Sequence, residues 1–189
     1  MTQNTKFWLY NLVTDVLPTR FQGVRIKFLN WCGVECASSV SLSSGTKFYG
    51  EGKFVLDENV VTRGDVRLES GDSCGGIVLA SYSEVNHGSY LAANGGSWVR
   101  VGKFVRVAHF VSLKTSHHKI DVDGDCIAGD SMFDDICIGD GSWLCTGCIV
   151  LPGVRVGRRN VIAAGAVVTK DTEDGVLMAG VPATIKKVY

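Results

Sequence analysis

Aliphatic residues recur at every sixth position along most of the chain. Between Ile138 and Val168 they fill six consecutive positions of this spacing without an interruption. The same spacing returns upstream in groups of three, which begin at Val34, Phe54, Leu79 and Val101. A helix repeats every 3.6 residues or so and a strand every 2, roughly. A period of six matches neither, so it predicts short strands joined by regular corners.

Three such steps make a unit of 18 residues, and the chain contains about six units. Their predicted bounds are 34–51, 54–71, 79–96, 101–118, 138–155 and 156–173. In a triangular prism each step supplies one side and one corner, and its leading residue points to the axis. Of the 18 leading positions, 16 hold Val, Ile or Leu. The pattern therefore predicts an all-β fold, a β-helix of about six triangular coils.

Insertions interrupt this repeat, and the longest separates Leu113 from Ile138. Insertions in a solenoid leave the coil as loops on one face, often the binding face. We therefore expect residues 114–137 to protrude from a β-helix domain that spans 34–176. Residues 177–189 form a C-terminal tail in this interpretation.

The first 33 residues do not follow the repeat. Helical spacing connects a set of aliphatic residues that ends before Pro18: Leu9, Leu12, Val13, Val16 and Leu17. Since the ends of a solenoid need capping, residues 1–33 are predicted to form a short helical cap. A helix on a membrane surface is the alternative, but its polar face carries few basic residues.

Composition narrows the possible functions. The 23 glycines against only 3 prolines suit tight corners with positive φ. With 19 basic and 19 acidic residues the formal net charge is zero, which gives no electrostatic reason to expect nucleic-acid binding. The sequence shows neither a transmembrane stretch nor a signal-peptide pattern, and its scattered cysteines predict a reducing, cytoplasmic location.

The seven cysteines are scattered through apolar stretches, which is typical of reduced thiols. Cys145 and Cys148 have the spacing of a redox pair or half a zinc site, but no second pair accompanies them. We therefore expect no metal.

The C-terminal repeats resemble a known family. The stretch IGDGSWLCTGCIVLPGVRVGRRNVIAAGAVVTKD at 138–171, followed by AGVPATIKK at 179–187, is similar to the hexapeptide-repeat acetyltransferases. Among them it most resembles the sugar O-acetyltransferases of the maltose, galactoside and capsular-polysaccharide type. The resemblance implies a left-handed parallel β-helix and a homotrimer. It also implies acetyl-coenzyme A (acetyl-CoA) bound between neighbouring subunits, and a saccharide acceptor.

Acetyl transfer to a hydroxyl requires a general base, usually a histidine. The chain offers His87, His109, His117 and His118, and the last two stand where the long insertion begins. The resemblance selects His118 as the base, with His117 as the alternative, and it implies direct transfer without an acetyl-enzyme. It also matches Asn86 to an asparagine of the acceptor pocket and so to the catalytic site, with a structural corner asparagine as the alternative.

The resemblance also implies a coenzyme groove. The matching positions are Trp143, Thr146, Ala164, Gly165, Thr169 and Lys170. Lys186 or Lys187 is expected to contact the phosphates, whereas Thr184 replaces a basic residue of several relatives. Trp143 has a second interpretation, as an aromatic residue that packs at a corner.

Other functions fit the same fold less well. Transfer to a sugar amine is one alternative, and a scaffold without catalytic activity is another. A metal-dependent lyase of the γ-carbonic anhydrase type is a third, since Arg63-Gly-Asp65, His87 and His109 are partly similar to such proteins. The expected spacing of four residues between two metal-binding histidines is missing after His109.

Overall fold

The computed structural model describes residues 1–16, 19–123 and 128–189. Three parallel sheets form the sides of a triangular prism, and the chain winds around it for about six turns. Two helices precede the prism, α1 (Gln3–Val16) and α2 (Gln22–Cys32). The predicted fold, a left-handed parallel β-helix with an N-terminal cap and a protruding loop, is confirmed.

Each turn contributes short strands to the three sheets. Sheet A contains β1 (Glu35–Cys36), β3 (Lys53–Leu56), β6 (Gly76–Leu79), β9 (Trp98–Val101), β14 (Ile136–Ile138) and β17 (Arg155–Val156). Sheet B contains β4 (Val61–Thr62), β7 (Glu84–Val85), β10 (Arg106–Val107), β15 (Trp143–Leu144), β18 (Val161–Ile162), β20 (Val176–Ala179) and β21 (Thr184–Val188). Sheet C contains β2 (Thr46–Gly50), β5 (Val66–Ser70), β8 (Tyr90–Ala93), β11 (Ser112–Lys114), β16 (Ile149–Val150) and β19 (Val167–Val168).

Neighbouring strands within each sheet are parallel, except that β21 runs antiparallel to β20 at the C-terminal end. The corners between the sheets are named here by the sheets they connect. In each complete turn the chain passes from sheet A through the A–B corner to sheet B. It then passes through the B–C corner to sheet C, and leaves by the C–A corner.

The six-residue pattern correctly identifies the core. All 18 leading residues are buried, with at most 3% of each exposed. The residue two positions earlier also points inward in many steps, as Val105, Val111 and Val154 do. Each side therefore places two side chains in the core, which suits β-branched residues on a pleated strand.

The pairing of strands between the second and third turns differs from the one that the leading positions of the repeat predict. Leu79 pairs with Leu56, and Phe54 pairs with Ile77. The first two turns are thus displaced by two residues relative to the third. Because strand side chains alternate with a period of 2, roughly, this displacement leaves the same side chains facing the core.

The N-terminal cap contains two helices, where the sequence pattern predicted one. Of the aliphatic residues whose spacing predicted a helix, Leu9 and Val13 are half-buried and Leu12 is 53% exposed, while Phe7, Tyr10 and Thr14 are buried. In α1 the aromatic residues Phe7 and Tyr10 join the core at the open end of the prism, and in α2 the aliphatic residues Ile26 and Leu29 do so. The predicted helix end at Leu17 and Pro18 lies outside the described residues.

Three side-chain amides join this cap to the first turn. Asn30 pairs with both backbone groups of Cys36, accepting its N–H at 3.1 Å and donating to its carbonyl at 3.4 Å. Gln22 likewise accepts the Leu42 N–H at 3.0 Å and donates to the Leu42 carbonyl at 2.8 Å. Asn11 does so with Phe48 at 3.2 and 2.8 Å. The three bound residues are six apart, one on each side of the prism.

A hairpin leaves the prism within the predicted insertion. It consists of β12 (Ser116–Ile120) and β13 (Ala128–Phe133), which pair antiparallel. Residues 124–127, among them Cys126, lie outside the described part of the chain. Neither described helix is long and apolar enough to cross a membrane.

Candidate active site

The B–C corner presents a continuous column of residues along the prism. Backbone hydrogen bonds connect successive turns there: Phe110 N–H donates to the His87 carbonyl at 2.9 Å, and Gly147 N–H to the His109 carbonyl at 2.8 Å. Gly165 N–H donates to the Thr146 carbonyl at 3.0 Å. Each corner therefore lies directly over the next one.

Four of the predicted coenzyme residues lie on or beside this column. Thr146, Ala164 and Gly165 are exposed at the corners of the last two complete turns. Gly165 has a φ of +68°, which an L side chain rarely adopts, and an added Cβ would meet nothing within 4 Å. Trp143 precedes this corner on β15, points out of sheet B and is 51% exposed. Since half of the indole is exposed, it is not a buried corner filler.

The other four predicted coenzyme residues lie elsewhere on the chain. Thr169 and Lys170 follow β19 at the C–A corner and are exposed. Lys186 and Lys187 lie on β21 and are also exposed. A single chain thus divides the predicted groove between two corners and the terminal strand.

The two candidate bases lie next to each other on β12. His118 is exposed, and its Nδ1 is 3.1 Å from the Gly129 carbonyl oxygen. A carbonyl oxygen only accepts hydrogen bonds, so this contact requires the proton on Nδ1. Nε2 is then left with a free lone pair, the form of imidazole that takes up a proton as a general base.

His117 has a different neighbour. Its Nδ1 is 3.8 Å from Asp134 Oδ2, which is an ion-pair distance but too long for a hydrogen bond. Its side chain is 39% exposed. The hairpin therefore holds two histidines, one oriented by a backbone carbonyl and one close to a carboxylate.

Asn86 lies at the B–C corner, where it stabilises the turn. Its side-chain amide donates to the Val107 carbonyl at 2.9 Å, and its backbone N–H donates to the same oxygen at 3.0 Å. No hydrogen bond between Asn86 and His118 is found among the described residues. The two predicted catalytic residues lie on different elements of the chain, Asn86 at the B–C corner after β7 and His118 on the hairpin after sheet C.

His87 and Asp65 lie in contact with each other. In the sequence they are notable only for their partial similarity to a metal-binding motif. The Asp65 backbone N–H donates to His87 Nδ1 at 3.1 Å, and the His87 ring packs edge-on against Phe110 with the centroids 5.5 Å apart. Within the described ranges, no three His, Cys, Asp or Glu side chains are grouped as metal ligands would be.

Burial disfavours the thiolate form of the two cysteines near the coenzyme positions. Cys145 is half-buried and Cys148 is buried, and both are free thiols. Burial raises the pKa of both, that of Cys148 to about 12. A thiol that stays protonated is a poor nucleophile, so neither favours an acetyl-enzyme intermediate.

Comparisons with known proteins agree with this architecture. Residues 138–170 match the family model for the bacterial transferase hexapeptide (six repeats). The chain carries this transferase repeat. The resemblance to hexapeptide-repeat acetyltransferases is thereby confirmed.

A curated relative is the galactoside O-acetyltransferase of Lactococcus lactis, 38% identical over 87 residues. The match covers 46% of this chain and 42% of that protein. The chain thus spans less than half the length of this relative.

Two solved structures share the fold at low sequence identity. A mutant of the N-acyltransferase AntD from Bacillus cereus, in complex with dTDP-4-amino-4,6-dideoxyglucose and coenzyme A, superimposes with a TM-score of 0.75 at 18% identity. That match covers 86% of this chain and 88% of AntD. A hexapeptide-repeat acetyltransferase from Vibrio cholerae, in complex with acetyl-CoA, has a TM-score of 0.65 at 17% identity, over 98% of this chain and 86% of the other.

Proposed function

We propose that the protein is an acyltransferase that transfers an acetyl group from acetyl-CoA to a sugar hydroxyl. The observation that carries this proposal is His118 on the hairpin, whose Nδ1 is bound by the Gly129 carbonyl. The name of the Lactococcus lactis relative supports a saccharide hydroxyl as the acceptor. The coenzyme A and acetyl-CoA in the two similar structures support the donor.

The chemistry follows from the tautomer of His118. Nε2 removes the proton of the acceptor hydroxyl as its oxygen attacks the thioester carbonyl carbon. The tetrahedral oxyanion then collapses, the carbon–sulfur bond breaks, and the protonated imidazole returns the proton to the leaving thiolate. The bond between Nδ1 and Gly129 holds the ring in the required orientation throughout.

We propose further that three chains assemble with sheet C turned toward their common axis. From the third turn onward, one outward row of sheet C is free of charge: Tyr90, Ser112, Ile149 and Val167. The corresponding row of sheet A contains Arg100 and Arg155, and that of sheet B contains Glu84 and Arg106.

Such a trimer accounts for the divided groove. The B–C corner of one chain would face the C–A corner of its neighbour. Trp143, Thr146, Ala164 and Gly165 would line the coenzyme from one side, while Thr169 and Lys170 line it from the other. Lys186 and Lys187 are proposed to bind the phosphates, and Asn86 to meet the acceptor.

The experiment is a steady-state assay of coenzyme A release with a panel of sugars, oligosaccharides and amino sugars. We expect His118→Ala to lower kcat by about 100-fold or more, since general-base catalysis contributes about 10²–10⁴-fold. Lys119→Ala, an exposed change on the same strand, serves as the control and should leave kcat unchanged. Sedimentation equilibrium verifies that each variant keeps the assembly of the unaltered protein.

His117 is the second candidate for the base, because it lies near Asp134. If His117→Ala abolishes turnover while His118→Ala keeps it, the assignment moves to His117. A preference for amino sugars over the matching hydroxyl sugars would assign the protein to N-acetylation. If no acceptor releases coenzyme A from the unaltered protein, acetyl transfer is wrong.

A further inference from the structure

Three large aromatic residues occupy left-handed backbone positions at the corners. Tyr82 has a φ of 62°, and Phe104 and Phe110 each have a φ of 58°. In the left-handed region a non-glycine residue is disfavoured, because its Cβ crowds the following carbonyl oxygen. Phe110 is 58% exposed, so burial does not offset this cost. The neighbouring turns of the same column have glycine here, at Gly88 and Gly147.

The Phe110 ring is held firmly in place. It lies on Gly88, where an added Cβ would be only 2.3 Å from Phe110 Cδ1. Its edge-on contact with His87 has an interplanar angle of 87°. His87 is fixed in turn by the Asp65 backbone N–H. The corner thus presents a rigid apolar surface whose position does not depend on a flexible loop.

Polar groups of both kinds accompany His87, the residue whose ring contacts Phe110. Because His87 Nδ1 accepts a hydrogen bond, its proton is on Nε2, which is a donor. The Asp65 side chain is 78% exposed and offers carboxylate oxygens as acceptors. An aromatic face beside one donor and one acceptor complements a pyranose ring, which has an apolar C–H face and a rim of hydroxyls.

A concavity begins at the same corner. It has a volume of about 390 Å³, and its lining includes Asp65, Gly88, Arg67 and Tyr90. Small-molecule sites are typically clefts of about 300–1,000 Å³ with a few polar groups on apolar walls. The concavity has the size for a monosaccharide and borders the corner through Asp65 and Gly88, whereas His87 and Phe110 lie outside its lining. In the proposed trimer its part on sheet C faces the neighbouring subunits, so the sugar would lie at its edge, on the corner.

The location agrees with the proposed reaction. Phe110 belongs to the fourth turn, and the hairpin with His118 leaves the prism at the end of that turn. Along the chain, β11 is the strand that separates Phe110 from the hairpin. In the proposed trimer, the hairpin of one chain would reach the B–C corner of its neighbour at the same height.

We infer that Asp65, His87 and Phe110 form an acceptor subsite that binds a pyranose ring beside the acetyl-transfer site. The assignment rests on the proposed function. Phe110 stacks on the apolar face of the sugar, while His87 Nε2 and the Asp65 carboxylate bind hydroxyls. These residues set which sugar is accepted and do not take part in the proton transfer.

The test compares Phe110→Gly with Phe104→Gly. Phe104 has the same φ, is 59% exposed and lies in the same turn, but at the A–B corner. Glycine suits the left-handed backbone at both positions, so both variants should fold. We expect Phe110→Gly to raise the KM for the best methyl pyranoside about tenfold at unchanged KM for acetyl-CoA, as lost uniform binding does. Phe104→Gly should leave both constants unchanged.

Direct sugar binding separates this inference from the proposed function. Saturation-transfer NMR is measured with the methyl pyranosides of galactose, glucose and N-acetylglucosamine, without acetyl-CoA. If a sugar binds the unaltered protein and Phe104→Gly but not Phe110→Gly, the subsite stands even where coenzyme A is never released. If Phe110→Gly keeps both the sugar signal and the acceptor KM, the subsite is wrong. If no sugar binds and none is acetylated, both proposals fail.

Discussion

The two ends of the prism are closed by different kinds of interaction. At the N-terminal end, Phe7 stacks on Phe48 with the centroids 5.8 Å apart and meets Phe54 edge-on at 5.4 Å. Tyr10 packs edge-on against Phe48 from the other side at 5.7 Å. Arg25, which is fully buried, donates to the Thr14 and Ser43 carbonyls and so joins both helices to the first turn.

At the C-terminal end one buried side chain organises the closure. Asn160 donates to Thr172 Oγ1 and to the Glu173 carbonyl, each at 2.7 Å, and accepts the Val176 N–H at 2.8 Å. Its own N–H donates to Ser142 Oγ at 3.1 Å. Strand β21 then pairs antiparallel with β20 over the last turn.

The difference reflects how much apolar surface each end of the prism exposes. The first two turns contain Phe48 and Phe54, so the open end exposes a large apolar surface. Aromatic residues of α1, Phe7 and Tyr10, cover it together with Ile26 and Leu29 of α2. The last turns have smaller inner residues, such as Val168 and Ala166, and a polar network suffices. Aromatic packing at one end and hydrogen bonding at the other should therefore respond differently to substitution.

The largest effect is expected from Phe48→Ala. Removing a fully buried aromatic ring costs about 3–5 kcal/mol of the free energy of unfolding. Denaturant unfolding followed by circular dichroism measures this loss. Trp8→Ala is the control, since Trp8 lies on α1 and is 65% exposed. Its free energy of unfolding should stay within about 0.5 kcal/mol of the unaltered protein. An equal loss in both variants would mean that the ring cluster is not what closes this end.

A somewhat smaller effect is expected from Asn160→Leu, which keeps the volume and removes the polar groups. It leaves the buried Val176 N–H without its acceptor, and an unsatisfied buried group costs about 1–3 kcal/mol. The same unfolding experiment measures it, with the exposed Arg158→Ala as the control. A leucine variant as stable as the unaltered protein would show that apolar packing is enough at this end too.

The smallest of the three effects is expected from Gln22→Ala, which removes one of the three amide contacts to the first turn. The loss of two partly buried hydrogen bonds costs about 1–2 kcal/mol. Hydrogen exchange at the Leu42 N–H should accelerate, because that group donates to Gln22 Oε1. Gln22→Glu keeps the acceptor for this group and should protect it better than alanine does. Unchanged exchange in Gln22→Ala would contradict the role of the amide.

The regular part of the fold could be predicted because each six-residue step buries its own leading residue. From Ile138 to Val168 the inward positions follow directly from the spacing. The cap could not be predicted in this way, since its buried face depends on which side chains match Phe48 and Phe54 in the first two turns. For that reason the aromatic residues Phe7 and Tyr10 are buried, whereas the aliphatic Leu12 is exposed.

Less of the candidate site could be predicted from the sequence. The histidine pair could be found because it stands at the largest break in the repeat. Its orientation could not, because the carbonyl that binds His118 Nδ1 belongs to Gly129, on the returning strand of the hairpin. The role of Phe110 depends on a backbone angle, and the only sequence signal is a bulky residue at a corner where glycine is usual.

The two-residue displacement between the second and third turns has a consequence for folding kinetics. A chain that stacks Phe54 on Leu79 would bury the same side chains as the native pairing of Leu56 with Leu79. We therefore expect this slipped pairing to compete with the native one while the prism assembles. The amide of Asn11, which binds both backbone groups of Phe48, fixes the first strand of sheet C relative to the helices. The cap thus fixes the position of the first turn, while the choice between the two pairings is made one turn later, where β3 meets β6.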